Sequence, residues 1–187
     1  MSARSEQAMV NPQQAAEYER MRSYYLAQGQ KQSFKDLWPR AMKARLELLD
    51  ALEGVTDAEA DWSPAPEEWS IKEVALHILK NSRSTRALVQ ALAAGKPGDT
   101  SGIEPPREST ATPIKELQTQ LRDDGIEWSA VILDLPQTPP LTPTARHSMF
   151  GELHARAWYL FQRTHDLDHQ GQIQKVKAAP GYAGKQS

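Results

Sequence analysis

The chain has 187 residues, within the size of one domain and long enough to bury one hydrophobic core. Its net charge of -2 gives no attraction to a phosphate backbone, so no nucleic-acid partner is expected, and the acidic excess is too small to point to a cationic one. It has no cysteine, which excludes disulfides, thiolate metal ligands and a cysteine nucleophile, and leaves His, Asp and Glu to hold any metal.

The opening residues, MSARSEQAMVNPQQ, contain no apolar stretch and do not read as a signal peptide. No apolar run approaches the ~20 residues of a membrane span. The chain therefore reads as soluble and cytoplasmic, with no membrane partner.

Asn11-Pro12 is an N-cap followed by proline at the first helical position. It predicts a short helix to Ala27, with Gly29 as its stop. This helix carries Tyr18, Met21, Tyr24 and Tyr25 on a weak apolar face, as expected of an appendage packed on the main body or on a partner subunit. The next helix is expected over residues 37–52, with Pro39 in its first turn and Leu37, Ala41, Ala44, Leu48 and Leu52 in one stripe. Residues 61–68, with Pro64 and Pro66, read as a connector.

Ser70-Ile71-Lys72-Glu73 is a capping box, serine at N-cap and glutamate at N3. The helix it opens aligns Val74, Ile78, Thr85, Leu88 and Leu92, and Gly95-Lys96-Pro97-Gly98 stops it. A polar loop covers 96–112. Thr112-Pro113 then restarts a helix in the same cap-then-proline manner, with Ile114, Leu117, Leu121, Trp128, Val131 and Leu135 on its apolar face and Gly125 weakening its middle. Residues 136–143 are too rich in proline for a helix. The last helix is expected from near Ser148 to about Lys177, roughly 45 Å long. No segment alternates with a period of two. The expected fold is all-α: an up-down-up-down four-helix bundle over residues 34–178 with long loops, an extension with one extra helix at 1–33, and a tail at 179–187.

Five histidines carry the chemistry. His165 and His169 are four residues apart, on one face of the last helix and within reach of one ion. They share their stripe with Phe150, Trp158, Phe161, Gln172 and Val176, so they point towards the interior, where an unpaired imidazole is costly. A metal would satisfy both; so would a carboxylate. His77 lies at the edge of an apolar face between Val74 and Ile78. Alone it reads as a core histidine bonded to a carbonyl; beside the pair it is the natural third ligand. His154 is too far along the axis to join His165 on one ion and belongs to the core or to an aromatic contact. Arg146 and His147 precede the last helix; they would meet an anionic substrate at a site mouth, or His147 is merely exposed. Asp166 lies about 100° around the helix from His165 and reads as solvated.

Two segments resemble one known family. Trp69-Ser70-Ile71-Lys72-Glu73-Val74-Ala75-Leu76-His77 resembles the W-S-x-x-E-x-x-x-H segment of the DinB-like, YfiT-like metal-binding proteins, and Asp61-Trp62-Ser63-Pro64-Ala65-Pro66 is similar to its lead-in. His165-Asp166-Leu167-Asp168-His169 with Gln172-Ile173 resembles the closing H-x-x-x-H-x-x-Q-I helix. The resemblance spans about residues 34–177. It implies a four-helix bundle whose His77, His165 and His169 hold one divalent ion, zinc or nickel, with an open coordination position. It also implies a homodimer and a small-molecule substrate. Within the family stand metal-dependent transferases that take a low-molecular-weight thiol as co-substrate, a maleylpyruvate isomerase branch, and proteins regarded as metal-dependent hydrolases. The expectation is therefore a metal-dependent S-transferase or hydrolase; the alternative is a non-catalytic stress or scaffold protein stapled by its metal. Glu73 would act as a base or orient His77, although the capping box already accounts for it. Asp168 and Gln172 would hydrogen-bond the ligand imidazoles or a bound water.

Overall fold

The computed structural model describes residues 11–182. Residues 1–10 and 183–187, the outer ends of the expected extension and tail, lie outside the described residues. Six helices and one small hairpin follow in order: α1 (Pro12–Lys31), α2 (Phe34–Leu52), α3 (Asp57–Asp61), α4 (Ile71–Ala93), α5 (Ile114–Asp134), β1 (Ala145–His147), β2 (Gly151–Leu153) and α6 (Ala155–Ala178). The fold is all-α, as expected. No helix among these residues is long and apolar enough to cross a membrane.

Four helices form the bundle. α2 packs on α5 and α6, and α4 packs on the same two; α6 also carries α1. The alternating direction expected from the sequence gives way at one step. The start of α2 meets the end of α5, where the Phe34 N–H donates to the Gln137 carbonyl at 3.1 Å. The end of α2 meets the end of α6, where Lys177 Nζ donates to the Ala51 carbonyl at 3.1 Å. α2 and α6 therefore run one way and α4 and α5 the other. The reason is the 94–113 segment, which returns along α4 instead of turning back at its end. Its Ile103 carbonyl accepts from Asn81, its Pro105 carbonyl faces His77, and Arg107 Nε donates to Glu73 Oε1 at 3.0 Å.

Local signals explain most helix starts. Ser70 and Glu73 cap each other as the sequence requires: the Glu73 N–H donates to Ser70 Oγ at 3.2 Å, and the Ser70 N–H to Glu73 Oε2 at 2.9 Å. A second capping box, Ser33 with Asp36, starts α2 three residues earlier than expected. Pro39 then falls inside the helix, on its exposed face, where the carbonyl left without a helical partner can turn to solvent. A third box, Thr56 with Glu59, opens α3, which the sequence reading missed. α3 in turn serves α5: Pro113 is its N-cap and offers no side chain, and the Ile114 N–H donates to Asp57 Oδ1 at 2.8 Å. The cap expected from Thr112 is thus supplied from another helix.

Two further expectations are corrected. Gly29 does not stop α1, which continues to Lys31. It is buried because α6 crosses there: a Cβ on Gly29 would sit 2.6 Å from His154 Cε1 and 3.0 Å from the Ala157 nitrogen. His154 caps α6 through Nδ1, which accepts from the Ala157 N–H at 3.3 Å, and its Nε2 faces the Leu26 carbonyl of α1 at 3.5 Å. The last helix begins at Ala155, not near Ser148, because Ala145↔Leu153 and His147↔Gly151 pair as an antiparallel hairpin. Gly151 has φ +66°, outside helical space. Phe150 therefore belongs to the hairpin tip and not to the helical stripe.

The interior has two apolar clusters. One holds Phe34, Leu37, Leu88, Trp128, Trp158 and Tyr159 among others; the second holds Leu48, Leu52, Val74, Ile78, Leu121 and Ile173. Each bundle helix contributes to both and breaks its apolar stripe between them, with Arg45 on α2, Ser82 on α4, Asp124 on α5 and Asp166 on α6. This polar layer lies at the level of the histidines.

Candidate metal centre

His77 stands in the second turn of α4; His165 and His169 stand one turn apart on the antiparallel α6. The structure brings the three together. His165 Nε2 lies 3.2 Å from His77 Nε2 and 3.1 Å from His169 Nε2. One ligand atom from each lies within 4.8 Å of the others. Two nitrogens held at ~2.0–2.1 Å on one tetrahedral ion stand ~3.3–3.4 Å apart, so the spacing fits a shared ion with little movement.

The outer nitrogens fix the tautomers. His77 Nδ1 is 2.9 Å from the Pro105 carbonyl, which can only accept, so Nδ1 carries the proton and Nε2 a lone pair. His169 Nδ1 is 2.8 Å from Gln172 Oε1, with the same consequence. His165 Nε2 thus faces two lone pairs and can donate to only one of them. A cation between the three rings removes that conflict. Its Nδ1 is buried without a hydrogen-bond partner.

Burial lowers the pKa of His77, aided by neighbouring His169; it lowers His169 too. In His165, burial followed by His169 and His77 pushes it well below the ordinary value. Neutral imidazole is the form that ligates metal. Trp69 stands edge-on to His77, with ring centroids 5.2 Å apart.

The cluster forms one wall of a cleft of about 630 Å³. α1 supplies Tyr18, Met21 and Tyr25; the return segment supplies Ile103 and Glu104; the hairpin supplies His147 and Phe150. The extension expected as an appendage is part of the site. Asp168 lines the cleft beside the cluster, and Gln172 orients His169 from outside it. Glu73 turns elsewhere: Oε2 takes the Ser70 N–H and Oε1 takes Arg107. Burial opposes its charge, but Arg107 and Ser70 outweigh that and lower its pKa, which makes it a poorer base. His147, expected at the mouth or exposed, is buried in the cleft wall, whereas Arg146 lines an adjoining depression that shares Glu104, His147 and Ser148 with the cleft.

Behind His165 lies a constellation that sequence reasoning missed. Asp166 is not solvated but 2% exposed. Arg45 Nε donates to Asp166 Oδ2 at 2.9 Å, and one terminal nitrogen donates to Asp124 Oδ2 and the Leu121 carbonyl, both at 3.0 Å. The other terminal nitrogen donates to Ser82 Oγ at 2.8 Å and Asp166 Oδ1 at 3.3 Å. All five guanidinium donors are used, and one side chain ties α2 to α4, α5 and α6. The available signal was charge inside an apolar stripe: Arg45 follows Ala41 by four and precedes Leu48 by three.

The match to known families covers the site. Residues 41–173 match the DinB superfamily. The chain belongs to the DinB superfamily. The DinB match runs from within α2 to within α6, so it contains the three histidines, Arg45, Asp124 and Asp166, and leaves out α1. The chain is also similar to the uncharacterized protein YuaE of Bacillus subtilis (strain 168), 23% identical over 154 residues, which cover 72% of this chain and 93% of YuaE.

Proposed function

We propose that this DinB protein binds one divalent metal ion through His77, His165 and His169, and uses it as a metal-dependent S-transferase or hydrolase acting on a small molecule in the cleft. The observation that carries the reading is the convergence of three imidazole Nε2 atoms with two tautomers already fixed by Pro105 and Gln172. Nitrogen ligands suit zinc, nickel and related ions alike. A bound ion there supplies Lewis acidity to a water or small thiol that joins it.

The chain's own residues do the rest. Gln172 and the Pro105 carbonyl hold the rings in position. Asp168 is the carboxylate beside the cluster that faces the cleft, and it is the group we assign to moving a proton during turnover. Glu73 helps indirectly, by fixing Arg107 and with it the return segment over His77. An enzymatic use is favoured over a purely structural staple because, among the described residues, the cluster holds three candidate ligands and opens onto a cleft. Three protein ligands leave a position for substrate.

The test is metal analysis of protein purified without a histidine tag. The expected result is about one equivalent of metal per chain, abolished by His165→Ala. Less than about a tenth of an equivalent, unchanged by that substitution, contradicts the proposal.

A further inference from the structure

Among the described residues, two buried polar atoms of the cleft outside the histidine cluster make no hydrogen bond of normal geometry. Tyr25, on α1, is 0% exposed, and its hydroxyl makes no hydrogen bond of normal geometry, with Thr164 the side chain nearest to pairing with it. His147, in the hairpin, is 2% exposed; its Nδ1 accepts from the Met149 N–H at 3.1 Å, so Nε2 carries the proton, and it makes no hydrogen bond, with Glu104 Oε1 3.9 Å away. Phe150 lies between them, its ring centroid 5.3 Å from Tyr25 and 4.8 Å from His147. Burying such groups without a full hydrogen bond is costly, so both donors are open to a ligand atom in the cleft.

The charge of the cleft is one-sided. Glu17, Glu104 and Asp168 line it, and no lysine or arginine among the described residues does. Arg45, behind the cluster, is already paired with Asp124 and Asp166. A site built to hold the carboxylate or phosphate of a ligand would supply a guanidinium or ammonium.

We infer that the cleft takes a small molecule whose end beyond the metal is uncharged or cationic, held by the Tyr25 hydroxyl and His147 Nε2–H and selected by Glu17, Glu104 and Asp168. This places substrate selection partly on α1, outside the DinB match. Arg146, expected to meet an anionic substrate, lines the adjoining depression and not this cleft. The inference rests on the proposed metal centre.

The test loads the full chain with cobalt(II) and titrates cysteamine, 2-mercaptoethanol and 3-mercaptopropionate, which share a thiol and differ in the charge of the other end. The visible spectrum reports cobalt uptake and, separately, sulfur joining the cobalt. In the Glu17→Gln, Glu104→Gln, Asp168→Asn variant the affinity ratio of cysteamine to 3-mercaptopropionate should fall about tenfold from its wild-type value, as expected of carboxylates a few ångströms from the distal charge. Comparing ratios between proteins cancels the different acidities of the thiols. Tyr25→Phe should weaken 2-mercaptoethanol about three- to tenfold with cobalt uptake unchanged, the loss of one hydrogen bond. An unchanged ratio, an unchanged Tyr25→Phe affinity, or cobalt uptake with no thiol joining it overturns the inference and leaves the metal site standing. Failure to take up cobalt overturns the metal centre itself.

Discussion

Arg45→Met is expected to destabilise the fold by about 3–5 kcal/mol, the cost of leaving buried charge without its partner. The substitution keeps the volume of the side chain and removes its five donors. Asp166 and Asp124, both 2% exposed, then lose the guanidinium that compensates them. What remains is partial: Gln162 still donates to Asp166 at 2.9 Å, and Ser82 and Arg86 to Asp124. Denaturant unfolding measures the loss. Adding Asp124→Asn and Asp166→Asn should recover part of it, because the cost lies in the bare carboxylates. A loss below about 1 kcal/mol, typical of an exposed ion pair, would show that the layer is not closed to water. The layer also bears on function. Arg45 bonds to α4 beyond His77 and to α6 beside His165, so loosening it should weaken metal binding as well as folding.

His165→Leu should have the opposite signature. In the metal-free chain, His165 presents an unpartnered Nδ1 and an Nε2 facing two lone pairs. Leucine removes both liabilities, so the metal-free variant should unfold no earlier than the wild type. Metal should stabilise the wild type by about 2.7 kcal/mol when its free concentration is a hundredfold above Kd, and the variant hardly at all. Thermal unfolding with and without zinc measures this. Equal stabilisation of the two proteins would mean that the ion binds elsewhere.

The parts of this protein legible in its sequence are those set by neighbours along the chain. His165 and His169 share a face because residues four apart always do on a helix. Ser70 and Glu73 announce a helix start because their bonds span three residues. Arg45 and Asp166 were not legible because phase distinguishes inside from outside only for a helix with one buried face. α6 packs on α1, α2 and α4, so the side of Asp166 is as closed as that of Trp158. Phe150 was misplaced for a related reason: it falls in phase with Trp158 and Phe161 by spacing alone, while Gly151 between them takes φ +66°. The direction of α5 was hidden because nothing within 94–113 tells a turn from a return. Its contacts with Glu73, His77 and Asn81 are tertiary, and they place the Pro105 carbonyl that orients His77.

The central claim, one ion held by His77, His165 and His169, is tested most directly by X-ray absorption at the metal edge of the loaded, untagged chain. The account predicts three imidazole nitrogens at ~2.0–2.1 Å with an exchangeable oxygen ligand completing the shell, and loss of an imidazole in His77→Ala. An all-oxygen shell, or three imidazoles that persist in His77→Ala, would contradict it.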